Sequence, residues 1–333
     1  MQEFLSPQWR SLLHLLNQRY RHEFDRAERL QAQLNDIQGS RAYIFFRWLR
    51  GLRRLFLRDQ LPTTRGAPLS TMHEPTMPHW SMAQSWIAAK LDPQTGVSDS
   101  LEALLLSPPT VSIVIPFKDQ LALLRNCLRS LRRGTYRRLE IVLVDNASSA
   151  PDMVRYLERM SRRRGFRVVR CPGAFNFARV CNLGAQHASG DYLLFLNNDV
   201  EVQSPRWLEK MLEVAAPPYI GIVGAALLYP DGTIQHAGIE PNGDGDWQHL
   251  DRGQLAESLG NDIRSVSAVT AACMLIRRDR FLDLNGFNER FPVTLNDVDL
   301  CCRARQRGWL SVVTPHARLV HFESLSRGYS RQS

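Results

Sequence analysis

Two apolar runs in this chain stop at a carboxylate, and no other feature restricts its fold as much. In HASGDYLLFLNNDVE (187–201) the run from Tyr192 to Leu196 ends abruptly in Asn197, Asn198 and Asp199. Upstream, LEIVLVDNASS repeats the device, with Ile141 to Val144 followed by Asp145, Asn146 and a turn of small residues. A short apolar run bounded by turn residues predicts a strand buried on both faces. In open α/β sheets the carboxyl edge is where ligands bind. An anionic, oxygen-rich group there suits a hard cation such as Mg²⁺ or Mn²⁺ held by few protein ligands, with diphosphate oxygens completing its shell.

The chain has 333 residues, 44% of them hydrophobic, enough for one good-sized core and an appendage. No stretch matches a spanning helix of roughly 20 apolar residues, and the start, MQEFLSPQWR, has no signal-peptide pattern. The six cysteines (127, 171, 181, 273, 301 and 302) show no C-x-x-C spacing. They predict reduced, partly buried thiols in the cytosol, not a disulfide framework or a zinc site. Net charge is +9, carried by arginine: only Lys90, Lys118 and Lys210 are lysines. Arginine's planar fork favours phosphate, so nucleotides and lipid headgroups are candidate partners. Nucleic acid is not expected, because zinc-finger spacing and an aromatic RNA-binding signature are both missing.

Three segments follow from the patterning. Residues 1–58 read as a basic, amphipathic helical extension, in which RAYIFFRWLRGLRRLFLR carries six arginines and no acid. Arg47, Arg50, Arg54 and Arg58 share one face, with Phe45, Trp48, Leu49, Leu52 and Phe56 across from them. Such a helix either lies in an anionic membrane interface through residues 41–58 or packs on a neighbouring domain with its arginines solvated. Residues 59–109 are a proline-rich linker. From 110 to 333 strand and helix patterns alternate, the mark of a layered α/β domain. Strands are expected at TVSIVIPF, IVLVD, FRVVR, YLLFL, GIVGAALLYP, SAVTAACMLIRR and LSVVTP, with a Gly/Asp-rich excursion over 231–262.

The pieces VSIVIPFKD, EIVLVDNAS, FNFARVCNLGAQHASGDYLLFLNNDVE, GTIQHAG, SAVTAACMLIRR, GFNERF, NDVDLCCRARQRGW and HFESLSRG, in this order, resemble glycosyltransferase family 2. Within that family they look like bacterial enzymes of O-antigen and surface-polysaccharide synthesis, rhamnosyltransferases among them. The resemblance implies the GT-A fold: a mixed, mostly parallel sheet with helices on both faces. It also implies an inverting, metal-dependent transfer from a dTDP- or UDP-sugar to a hydroxyl of a lipid-linked glycan, and an enzyme peripheral on the cytoplasmic face of the membrane.

Site roles carry over position by position. Asp145 takes the family's place for accepting a pyrimidine N3–H, and Pro116 begins the loop over the nucleotide, with Lys118 and Asp119 either beside the ligand or in a solvated turn. The family's D-x-D is here Asn197-Asn198-Asp199, leaving Asp199 as the charged metal ligand and Asn197 as an uncharged donor-binding side chain. His321 falls where many such enzymes place a C-terminal histidine on Mn²⁺ or Mg²⁺. Asp297 stands at the aspartate of an Glu-Asp motif whose glutamate is Asn296, and so is the expected base. Asp299 fits a helix-start role. Arg179 is expected to meet the diphosphate, Ala272 to let the donor sugar approach the backbone, and the excursion and GFNERF to shape the acceptor site. His316 and His236 are expected to be structural.

Two rival readings bear on the same residues. A nucleotidyltransferase would carry a Gly-rich basic loop after the first strand, which PFKDQLALL does not. A non-catalytic or truncated nucleotide-sugar-binding scaffold module would explain Asn at 197 and 296. Gln306-Arg307-Gly308-Trp309 is not a Q-x-x-R-W motif, which argues against a processive synthase.

Overall fold

The computed structural model describes residues 107–242 and 246–322. The predicted basic extension, nearly all of the linker and the last eleven residues lie outside these. In chain order the elements are β1 (Val111–Phe117), α1 (Leu121–Leu131), β2 (Leu139–Asp145), α2 (Pro151–Ser161), β3 (Phe166–Arg170), α3 (Phe177–His187), β4 (Tyr192–Leu196), β5 (Val200–Val202) and α4 (Trp207–Ala215). There follow β6 (Ile220–Leu228), β7 (Ile234–His236), β8 (Ile239–Pro241), β9 (Trp247–His249), a 3₁₀ turn (Ala256–Leu259), β10 (Arg264–Val266), β11 (Cys273–Arg277), α5 (Arg278–Asp283), α6 (Asn296–Gln306) and β12 (Leu310–His321).

The main sheet runs β10-β12-β6-β11-β4-β1-β2-β3, with β5 beside β12 and β7 beside β6. Strands β1 to β4 are parallel, β11 is antiparallel to β4 and β6, and β12 is parallel to β6. Every residue of β1, β4 and β6 is buried, as expected of strands covered on both faces. Alternation of side chains divides them. Ile113, Ile115 and Leu194 meet Leu124, Met153 and Met211 from α1, α2 and α4. Val114, Val144, Leu193 and Phe195 meet Ala178, Cys181, Phe281 and Leu300 from α3, α5 and α6. The third helix lies close against the sheet. A Cβ at Gly184 would come within 2.4 Å of Val114 Cγ1 and 2.7 Å of Val144 Cγ2, so only glycine permits this approach.

Two expected strands differ from the observed ones. SAVTAACMLIRR was read as one strand, yet the ladder begins only at Cys273. Residues 267–272 stand outside it: Ala268 exchanges backbone bonds with Ile239, while the Ser267, Thr270 and Ala271 amides donate to side chains. The last strand was expected to stop at Pro315; it continues to His321 through a register shift between Thr314 and Arg318. That irregularity absorbs Pro315, which has no N–H for the ladder, and the strand resumes against β6 and β5.

Candidate active site

Because β1, β2, β4, β6 and β12 share one direction, their carboxyl ends face a common edge, and the chain reverses β11 so that its start lies there too. Order along the sheet switches beside β1, flanked by β2 and β4, the place where open α/β sheets form a crevice.

On one side of that crevice, Asp145 closes β2 and is buried. Its Oδ1 accepts the Ser148 amide at 2.8 Å, folding the DNAS turn with Ala147 at φ 56°. Its Oδ2 lies 3.5 Å from Arg170 Nε. Pro116, near the end of β1, pairs with Val144. Asp119 has a definite task. Its Oδ1 accepts the amides of Ser149 and Ala150 at 3.0 and 3.1 Å, and its own N–H donates to Ser148 Oγ at 2.7 Å. It therefore ties the loop after β1 to the loop after β2 and satisfies the N–H of Ala150, the residue just before α2. Arg179 is turned to the loop before its helix, donating to the carbonyls of Pro172 and Ala174 at 3.1 and 2.8 Å. It braces the segment that Asn146 also holds, through Cys171 O.

On the other side, residues far apart in sequence converge. His321 pairs with Val200 across β12 and β5, which brings its Nε2 to 3.1 Å from Asp199 Oδ1 and 3.3 Å from Asn197 Nδ2. His321 Nδ1 is 2.6 Å from Gln235 Oε1. A carbonyl oxygen only accepts, so Nδ1 carries a proton and Nε2 is the nitrogen turned to Asp199. A histidine held this way at its far nitrogen has the arrangement that an orienting partner gives to a ligating imidazole. The Oδ1 of Asn197 is buried without a hydrogen bond in the structure, and a half-turn of that amide would bring oxygen to the same point. Among the described residues no group of three or more His, Cys, Asp or Glu gathers as a metal site. The donor set is thus two strong ligands and an amide, which fits a cation completed by phosphate oxygens.

Ala271 and Ala272 link this cluster to the expected base. The Asn197 amide donates to Ala272 O at 3.0 Å, and the Ala271 amide donates to Asp297 Oδ2 at 3.2 Å. Asp297 Oδ1 accepts from Val298 N at 2.9 Å. Burial pushes the Asp297 carboxyl above its usual value, against the pull of the two amides and of nearby His249. Leu295, just before α6, is held at φ 64°, an uncommon conformation for a bulky residue and one that clusters at functional sites. Asp299, by contrast, pairs with Arg303 at 2.6 Å, and Arg303 also donates to Gly286 O at 2.8 Å. GFNERF is fastened by Asn182, whose amide exchanges bonds of 2.9 and 2.8 Å with the Phe287 backbone. His316 is exposed. His236 is fully buried. Gln235 and Arg170 were not singled out from the sequence, since only folding sets them against His321 and Asp145.

This architecture and its edge of carboxylates define a GT-A nucleotide-diphospho-sugar transferase fold. Glycosyl transferase family 2 matches residues 112–282, and the chain belongs to that family. The "O-antigen biosynthesis protein RfbC" of Myxococcus xanthus is 40% identical over 226 residues, covering 66% of this chain and 18% of that protein. The N-acetylglucosaminyl-diphospho-decaprenol L-rhamnosyltransferase of Mycobacterium tuberculosis is 30% identical over 154 residues, 41% of this chain and 49% of that one. The match therefore spans under half the length of each of these relatives. Among solved structures, GalNAc-T7 with UDP, GalNAc and Mn²⁺ shares the fold at a TM-score of 0.55 and 19% identity, over 64% of this chain and 44% of that one. No described helix is long and apolar enough to cross a membrane.

Proposed function

We propose that the chain is an inverting glycosyltransferase acting in surface-polysaccharide synthesis, with a dTDP- or UDP-sugar as donor and a lipid-linked glycan hydroxyl as acceptor. One observation carries this reading. The Asp199–His321 pair and the amide-held Asp297 are joined through Ala271 and Ala272 at the edge that Asp145 also reaches. That spacing provides for a diphosphate and for a hydroxyl to be activated beside it.

Asp145 would take the base, and Asn197 a ribose hydroxyl. Asp199 and His321 would hold Mg²⁺ or Mn²⁺, which when bound would neutralise charge on the departing diphosphate. Asp297 accepts the acceptor's proton as its oxygen bonds to the anomeric carbon; the carbon–oxygen bond to the diphosphate breaks, and its electron pair leaves with the nucleotide. One displacement inverts the centre. Asp297's raised pKa brings a carboxylate closer to neutral, where a general base works best, so transfer should fall as pH drops through that pKa. The O-antigen and rhamnosyltransferase relatives support the polysaccharide assignment. Action at the cytoplasmic membrane face, with residues 41–58 on anionic lipid, belongs to the same proposal.

The test is Asp297→Asn. It should retain nucleotide-sugar binding, read by thermal shift with Mn²⁺, and lose transfer by about 10² to 10⁴, the usual worth of a general base. Undiminished transfer would reject the base assignment. Nucleotide binding by the unaltered chain without turnover on any acceptor would favour a non-catalytic module.

A further inference from the structure

The outer faces of α1 and α2 repeat one pattern. Arg125, Arg129 and Arg132 stand at i, i+4 and i+7 along α1 and its C-cap, and Arg155, Arg159 and Arg162 do the same along α2. All six are exposed, because the opposite stripes, with Leu124 and Leu128 on α1 and Met153 and Leu157 on α2, are buried in the core. The helices follow neighbouring parallel strands and pack on the same face of the sheet, so the two rows lie side by side. The loops that come next, RRGTYRR (132–138) and SRRRG (161–165), extend both rows to the amino edge of the sheet.

This charge is not neutralised. Residues 121–138 include no acid, and α2 brings only Asp152 and Glu158. Among the described residues none of the six arginines makes an ion pair: Arg129 bonds to Asn126 Oδ1 at 3.1 Å, and Arg159 lies 5.7 Å over the Tyr156 ring. Other arginines of the domain are matched. Arg206 and Lys210 at α4 share Glu213, while Arg303 and Arg307 at α6 meet Asp299 and Asp283. The helix dipole favours cations in a last turn, which accounts for Arg129 and Arg159. It does not account for Arg125 and Arg155, which repel them at i, i+4. An anionic surface would relieve that repulsion.

We propose that these two rows are a docking surface for an anionic lipid bilayer. Each row runs about 10 Å along its helix, an arrangement that suits many phosphates in one plane rather than one bound molecule. Guanidinium groups are well matched to such phosphates, and their attraction to an anionic leaflet adds up along the rows. The choice of a bilayer over another polyanion rests on the transfer reading above, in which the acceptor is lipid-linked. The placement of the helices fits it. Because α1 and α2 begin at the carboxyl ends of β1 and β2, both rows run from the crevice toward the opposite edge. A bilayer lying along them passes beside the crevice, within reach of an acceptor held in the membrane.

The full-length chain and vesicles of phosphatidylcholine, alone or mixed with phosphatidylglycerol, provide the test. Sedimentation should show binding to the mixed vesicles only, weakening as salt is raised. Changing Arg125, Arg129, Arg155 and Arg159 together to Gln should lower that affinity by about 10² to 10³, since each arginine near an anionic surface is worth roughly fivefold. The thermal midpoint should stay in place, because all four are exposed. Lysine at the same four positions keeps the charge and should keep the binding. Unchanged affinity in the Gln variant would locate the contact elsewhere in the chain and overturn the proposal, as would an equal loss in the Lys variant. An RNA duplex bound through the same arginines as tightly as the mixed vesicles would overturn it in favour of a nucleic-acid partner. A chain that binds the mixed vesicles through these arginines, yet transfers from UDP- or dTDP-sugars to no octyl glycoside, would overturn the transfer reading and leave this surface standing.

Discussion

Gln235→Leu should separate the side chain that orients His321 from those that bind. Gln235 is 5% exposed and His321 9%. The glutamine amide holds the histidine at both ends, accepting from Nδ1 at 2.6 Å and donating to the His321 carbonyl at 3.4 Å. Leucine nearly matches the volume, so little cavity cost is expected. What is lost is the partner of a buried N–H, which costs about 1–3 kcal/mol in stability when no water replaces it. The ring is also freed to turn Nε2 away from Asp199. Removing such orienting partners typically costs 10- to 100-fold in metal affinity, equivalent to about 1.4–2.7 kcal/mol. Urea denaturation of the metal-free protein should show the first loss, and calorimetric titration with Mn²⁺ the second. Gln235→Glu keeps an acceptor for Nδ1–H and should retain Mn²⁺ binding. Equal Mn²⁺ affinity in Gln235→Leu and the unaltered chain would refute the reasoning, because it would mean that Nε2 needs no support to face the carboxylate.

Asn197→Asp places a charged oxygen where a buried, unbonded Oδ1 now sits; Mn²⁺ affinity should rise, and a fall in calorimetric titration would count against Asn197 lying beside the cation. Burial, then His249 and His321, hold the His236 pKa well below its usual value. Below pH about 6.5 the unfolded chain takes up a proton that folded His236 refuses, so stability should fall with acidification by up to about 1.4 kcal/mol per pH unit. His236→Gln should show a flatter loss between pH 6.5 and 5 in urea titrations, and an identical slope would reject that linkage. Gly184→Ala would drive a methyl to within 2.4 Å of Val114 and should cost about 1–3 kcal/mol as an overpacked core; a denaturation midpoint unchanged from the parent would show that α3 can shift without penalty.

Strand β4 and its stop at Asp199 were legible because burial on both faces demands a continuous apolar run, and the first polar residue after it must mark the edge. Helix α3 begins where the sequence offers a good N-cap, since Asn176 accepts a 3.0 Å bond from the Arg179 amide. The role of Arg179 itself was not legible: whether a guanidinium meets a ligand or a loop carbonyl depends on how that loop folds back. The resemblance carried the fold and the positions of Asp145, Asp199, Asp297 and His321, but periodicity alone could not have joined them. Asn197 and His321 meet across 124 positions only because β12 lies parallel to β6 and passes its irregularity before reaching β5. Likewise Gln235, His236 and His249 look like ordinary polar residues of a Gly/Asp-rich excursion until β7, β8 and β9 set them against the edge. Local pattern determined most of the strands and helices, because hydrophobic periodicity and capping act within a few residues. Tertiary structure alone decided which polar groups face one another, because hydrogen-bond partners are chosen by strand order and register, and these link segments that the sequence keeps far apart.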